Sequence, residues 1–204
     1  MNLFKGVFKV DRHQSTAWLG IGASAIFFTA LAVWGAADPA YSHSTKAVSE
    51  LGAVGAANQL TWNLTGFLAV GIMLAIFGWR YGKLLDDRLT GWLLALFGWA
   101  FAASAIPVDM DDLRSSSSIA HIVAAMAVFL FWALALIRIL FIKRRLPGLK
   151  PATAAALALA LGSIVLRASE LLLPGLAQRV SFLVVFGWVV VAAVLLMRGR
   201  KHDL

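Results

Sequence analysis

The chain has 204 residues, is 61% hydrophobic and carries charge on only 14% of its positions, too little to cover a water-soluble domain of this size. It has no cysteine, which excludes disulfides, thiolate metal sites and cysteine nucleophiles. The formal net charge of +8 raises nucleic acid as a partner, but the distribution of that charge, followed below, points to a membrane surface instead.

Six segments are apolar and long enough to span: residues 17–37, 60–79, 90–107, 118–142, 151–173 and 180–197. The third is the shortest. The fold class expected is all-α: one polytopic domain over residues 1–204, a six-transmembrane-helix bundle. Residues 1–16 form a charged lead, 38–59 a long loop and 198–204 a tail. The first apolar run is long enough to anchor, which argues against a cleaved signal peptide.

Thirteen of the 18 basic residues fall on one side of this arrangement: Lys5, Lys9 and Arg12; Arg80, Lys83 and Arg88; Lys143, Arg144, Arg145 and Lys150; Arg198, Arg200 and Lys201. The other side has Lys46, Arg114 and Arg179, and Arg138 and Arg167 lie within spans. The positive-inside rule places both termini in the cytoplasm and the protein in the cell inner (cytoplasmic) membrane. The same division removes the need for a nucleic-acid partner. Six of the ten acids lie on the opposite, outer side: Asp38, Glu50, Asp109, Asp111, Asp112 and Glu170.

Polar chemistry gathers at that outer boundary. The 38–59 loop supplies His43, Glu50 and Asn58. The second span opens "NQLTWNLTGF", with Gln59, Asn63 and Gly66 on one helical face. The stretch "IPVDMDDLRSSSSIAH" holds Asp109 and leads to His121 at the start of the fourth span. The fifth span carries Arg167 and Glu170, three residues apart and so on a shared face, with Ser163 one turn deeper. Charge inside hydrocarbon is costly, about 2.5–3.5 kcal/mol at a helix centre, so this pair either neutralises itself at the interface or turns inward to hold an anion or an outer acid. Ala154, Ala158 and Gly162 form a small-residue stripe of the kind that packs helices closely.

Several chemistries find no support. No lysine sits inside a span for a retinal Schiff base, the four histidines provide no facing haem ligands, and there is no phosphate-loop or dinucleotide motif. "DMDD" with His121, His43 and Glu50 allows a divalent-cation site on paper, but a short acidic loop is ordinarily solvated, so no metal and no cofactor are expected. A Ser-His-Asp triad can be assembled from too many serines to mean anything.

Four ordered segments resemble a family of uncharacterised bacterial six-span membrane proteins, a domain of unknown function. They are "YSHSTKAVSELGAVGAANQLTWN"; "AIPVD", with Pro107 and Asp109; His121; and "GLAQRVSFLVVFGW", with Gly175, Arg179 and Trp188. The layout is also distantly similar to DRAM/Sfk-like proteins, in which a Ser-acid outer loop precedes the second span and a His opens the fourth. The resemblance implies a fold and no established reaction. It implies that Glu50, Asn58 or Asn63, Asp109, His121 and Arg179 act together, Glu50 and Asp109 pairing with Arg179 or Arg167 to fold the long loop over a polar pocket.

The function expected is therefore an outward-facing pocket for a lipid headgroup or other amphipathic ligand, lined by His43, Glu50, Asn58, Asn63, Asp109, His121, Arg167, Glu170 and Arg179. The alternatives are an accessory subunit of a membrane complex or small transporter, and a lipid-modifying enzyme using His121 with Asp109 or Glu50. Membrane lipids are the expected partners, with a membrane-protein partner or a homo-oligomer as further options.

Overall fold

The computed structural model describes residues 11–143, 146–169 and 171–199. Six long helices carry the chain: α1 (Arg12–Ala37), α2 (Gln59–Leu84), α3 (Arg88–Ala103), α4 (Ser116–Phe141), α5 (Leu149–Ala168) and α6 (Pro174–Gly199). A short 3-10 turn, Val48–Gly52, lies between α1 and α2, and no strand occurs among the described residues.

The helix starts are written locally. Asp11, Asp87 and Ser115 cap α1, α3 and α4, each side chain accepting an orphan backbone N–H two or three residues on. Gly148, at φ +82°, turns the chain into α5, and Pro174 opens α6, where its missing N–H costs nothing. That proline starts α6 six residues before the expected span. Gly175, Gln178 and Arg179 therefore stand on its first turns instead of in a loop.

Five helices are long and apolar enough to cross a membrane; α3, at 16 residues, is shorter. It rises about 24 Å, against about 30 Å of hydrocarbon. Its expected end at Pro107 is not reached. Ser104 bonds back to the Ala100 carbonyl, and the proline biases the residue before it away from helical geometry. Likewise α5 stops at Ala168, short of the expected 173.

Each helix packs on its neighbours in sequence, and α6 closes back on α1. The tightest seam joins α2 and α3. A Cβ at Gly98 would lie 2.1 Å from the Ala75 nitrogen, and one at Gly82 would lie 2.2 Å from the Gly91 Cα. The stripe Ala154, Ala158 and Gly162 on α5 is not such a seam: the two alanines are exposed and Gly162 meets nothing within 4 Å. The core is aromatic, with Phe27 stacked on Phe186 at 4.5 Å and Trp132, Tyr81 and Trp188 filling the half nearer the start of α1. Outside, α5 exposes Leu159, Leu161, Ile164 and Val165, a surface suited to lipid.

Candidate functional site

One end of the bundle gathers the end of α1, the start of α2, the end of α3, the start of α4, the end of α5 and the start of α6; it is called here the loop end. A loop covers part of it. Arg179, on the second turn of α6, is the clamp. Its guanidinium donates to the carbonyls of Lys46 (3.0 Å) and Gly175 (2.7 Å), to the Tyr41 hydroxyl, and to Nδ1 of His43 (3.2 Å). Gln178 accepts from the Val48 N–H at 2.6 Å, and Leu176 N–H donates to the Ser44 carbonyl. Gly175 admits the loop because any Cβ there would lie 2.7 Å from the backbone of Ser44 and Lys46.

Tyr41 donates in turn to the Ala47 carbonyl at 3.2 Å. Burial holds its phenol above the ordinary value, against the opposing pull of the Arg179 charge, so it stays protonated. His43 moves the other way: burial and then the Arg179 charge hold its imidazole below the ordinary value, as suits a ring that accepts from a guanidinium.

Arg179 thus holds the loop through carbonyls and a phenol, not through acids. The expected pairing with Glu50 or Asp109 is corrected. Glu50 instead accepts from the Ala47 N–H at 2.7 Å and caps the 3-10 turn. Asp109 accepts from the N–H groups of Asp111 and Asp112, which makes an Asx turn of the acidic stretch. The four serines are also mostly turn chemistry: Ser118 is buried and donates to the carbonyls of Asp109 and Asp112 while accepting the Asp109 N–H. No three His, Asp or Glu among the described residues come together as a metal site.

Asn58 donates to the Trp34 carbonyl at 3.3 Å, and Asn63, buried, donates to the Gly52 carbonyl at 2.9 Å. Asn63 also opens a π-helical stretch of α2, Asn63–Ala69. There Thr65 bonds back to the Thr61 carbonyl and accepts from the Trp34 indole. Such bulges re-aim side chains, and this one presents Phe67 to the bundle interior.

Phe67 is one wall of a cavity of about 370 Å³ bounded by α4, α6 and the end of α5. Its apolar part is Phe67, Phe101, Met126, Phe129 and Phe182; its polar part is Ser49, Ser104, His121, Arg167 and Gln178. Ile122, Met126 and Phe129 are also exposed on the outside of α4, so the cavity opens sideways through the bundle wall. His121 is buried. Its Nδ1 lies 2.8 Å from the Ile106 carbonyl, which can only accept, so the ring carries a proton on Nδ1 and donates it to that carbonyl. Arg167 is exposed at the end of α5 and makes no hydrogen bond or ion pair with a described residue. Glu170, its expected partner, lies outside the described residues.

Of the nine residues expected at one pocket, His121 and Arg167 line this cavity. His43 and Arg179 belong to the loop clamp, and Glu50, Asn58, Asn63 and Asp109 shape local backbone. No described carboxylate bonds to His121, so the imidazole–acid pairing an enzyme would use is not assembled. Sequence reasoning missed Gln178 and Ser104 as lining residues. Both read as ordinary polar positions in apolar segments, although Gln178 lies within the quoted "GLAQRVSF". A bidentate ion pair among the described residues was missed as well: Arg138, on the last turn of α4, reaches Asp87 at 3.1 and 3.0 Å. That bond, foremost, holds the Asp87 carboxyl below its ordinary value.

The search of curated proteins and the search of solved structures gave no match, so the layout likeness to DRAM/Sfk-like proteins rests on sequence reading alone. One family model does match, described as "Protein of unknown function (DUF998)", over residues 21–195. That span takes in all four ordered segments and every helix but the first turns of α1 and the end of α6, and the chain belongs to this family of proteins of unknown function.

Proposed function

We propose that this chain is a six-span inner-membrane protein with both termini cytoplasmic, whose loop-end cavity takes an acidic amphiphile from the outer leaflet. In this reading α3 crosses as the sixth, short span, packed between α2 and α4, with Leu89, Trp92, Leu96 and Trp99 on its exposed face. The observation that carries the proposal is the meeting of unlike groups in one laterally open space. Arg167, with no described partner, lines it together with His121 and four phenylalanines. A guanidinium favours phosphate or carboxylate, and the aromatic walls suit an acyl chain.

The alternatives have less support. A transport path needs polarity across the midplane, and the half of the bundle beyond the cavity is closed by Trp132, Leu136 and Trp188. An enzyme using His121 needs an acid or metal beside it, and none of the described residues supplies one. A thermal-shift titration with an acidic phospholipid, wild type against Arg167→Gln, tests the proposal. A saturable rise in wild type that weakens at least fivefold in the variant supports it; equal responses refute it.

A further inference from the structure

A second cavity, of about 460 Å³, lies at the opposite end, where α1 begins and α2 ends. Arg12, Ser15 and Thr16 of α1 line it with Arg80, Lys83 and Leu84 of α2. Arg12 and Thr16 stand one turn apart on one face, as do Arg80 and Lys83. No acid is among its described lining residues, and none of the three cations forms an ion pair with a described residue. Thr16 is 1% exposed, and its hydroxyl has no hydrogen-bond partner among the described residues. A threonine hydroxyl in a helix ordinarily bonds back to the preceding turn. An unpartnered one at the wall of a three-cation cavity is a donor waiting for an acceptor.

The position adds a source. Lys83 lies over the Trp79 ring at 4.5 Å, Trp79 packs on Trp92 at 4.6 Å, and Trp18 and Trp92 are more than half exposed. Exposed tryptophans at one level of an apolar bundle mark the depth of headgroups.

We propose that this cavity is a phosphate-binding site, with Arg12, Arg80 and Lys83 neutralising the anion and Thr16 donating the hydrogen bond that fixes it. The tryptophan level favours the phosphodiester of an acidic phospholipid in the leaflet at this end; free inorganic phosphate is the other source of the same group. The site is separate from the loop-end cavity and stands whether or not that cavity binds a lipid.

The test uses the full chain in neutral detergent. Melting is followed while phosphatidylglycerol, phosphatidylcholine or inorganic phosphate is added, for wild type, Thr16→Val, Arg80→Gln and Arg88→Gln. Thr16→Val keeps the shape and removes only the hydroxyl. The expected result is a saturable rise with phosphatidylglycerol and none with phosphatidylcholine. Half-saturation moves at least fivefold higher in Thr16→Val and more in Arg80→Gln, and is unchanged in Arg88→Gln. A rise with inorganic phosphate showing the same variant dependence assigns the site to the free anion. No rise with either phosphate source, or a rise that all four proteins share, overturns the proposal. Should Arg80→Gln not fold, Thr16→Val decides alone.

Discussion

The imidazole of His121 donates its Nδ1–H to the carbonyl of Ile106, 2.8 Å away, and this bond ties the start of α4 to the chain just after α3. Ile106 precedes Pro107 and lies beyond the last turn of α3, so its carbonyl has no helical partner. The bond thus satisfies an orphan group and holds the His121 ring in the cavity wall.

The first prediction follows from that bond. His121→Gln keeps a donor and should fold with a melting temperature near wild type. His121→Ala leaves the carbonyl unpaired and should lose about 1–3 kcal/mol. Thermal melting of the two variants in detergent checks this. Equal losses would show that the bond contributes nothing.

Arg179 makes the second prediction. Bonds to a charged donor contribute about 1.5–3 kcal/mol each where they are sheltered, and this one guanidinium serves four acceptors. Arg179→Ala should lower the melting temperature by several degrees and open the 38–58 loop to protease. Arg88→Ala, at an exposed position, should do neither. If both variants melt alike, the clamp has no energetic weight.

His43 sets a pH dependence. Its folded-state pKa lies below the ordinary 6.5, so the neutral ring is the form the fold prefers. The unfolded chain then takes up the proton first as pH falls. The contribution to stability is complete above about 6.5 and is lost as pH drops through that value toward the folded-state pKa. Melting at pH 7.5 and at pH 5.5 should differ more for wild type than for His43→Gln, whose amide oxygen still accepts from Arg179. The same difference in both proteins would remove His43 as the source.

Topology gives the fourth prediction. Ser116→Cys, at the start of α4, should react with an impermeant thiol reagent from outside intact cells. Asp86→Cys, between α2 and α3, should react only after the cells are opened. The reverse pattern would invert the bundle and move the loop-end cavity to the other leaflet.

Much of the architecture was legible because lipid imposes simple rules on sequence. All six apolar runs became helices. The ends were harder. Pro174 begins α6 early and Pro107 follows an α3 already closed, and a hydropathy window blurs both. The candidate site was legible as a neighbourhood and not as a set of contacts. A charge count matches Arg179 with Glu50 or Asp109, since it cannot see that the carbonyls of Lys46 and Gly175 compete for the same donors. The phenylalanine walls were invisible for another reason. In a chain this apolar, nothing in the sequence separates Phe67, Phe129 and Phe182 from core or lipid-facing rings; only the π stretch of α2 and the gap beside α4 do that.

The central claim is tested most directly by counting acidic amphiphile bound to purified protein, by native mass spectrometry, for wild type, Arg167→Gln and Ala125→Trp. Ala125 lines the cavity, and an indole there would fill it. The account predicts one bound molecule fewer per protein in both variants than in wild type, while helical content is unchanged. Equal occupancy in all three folded proteins would contradict it.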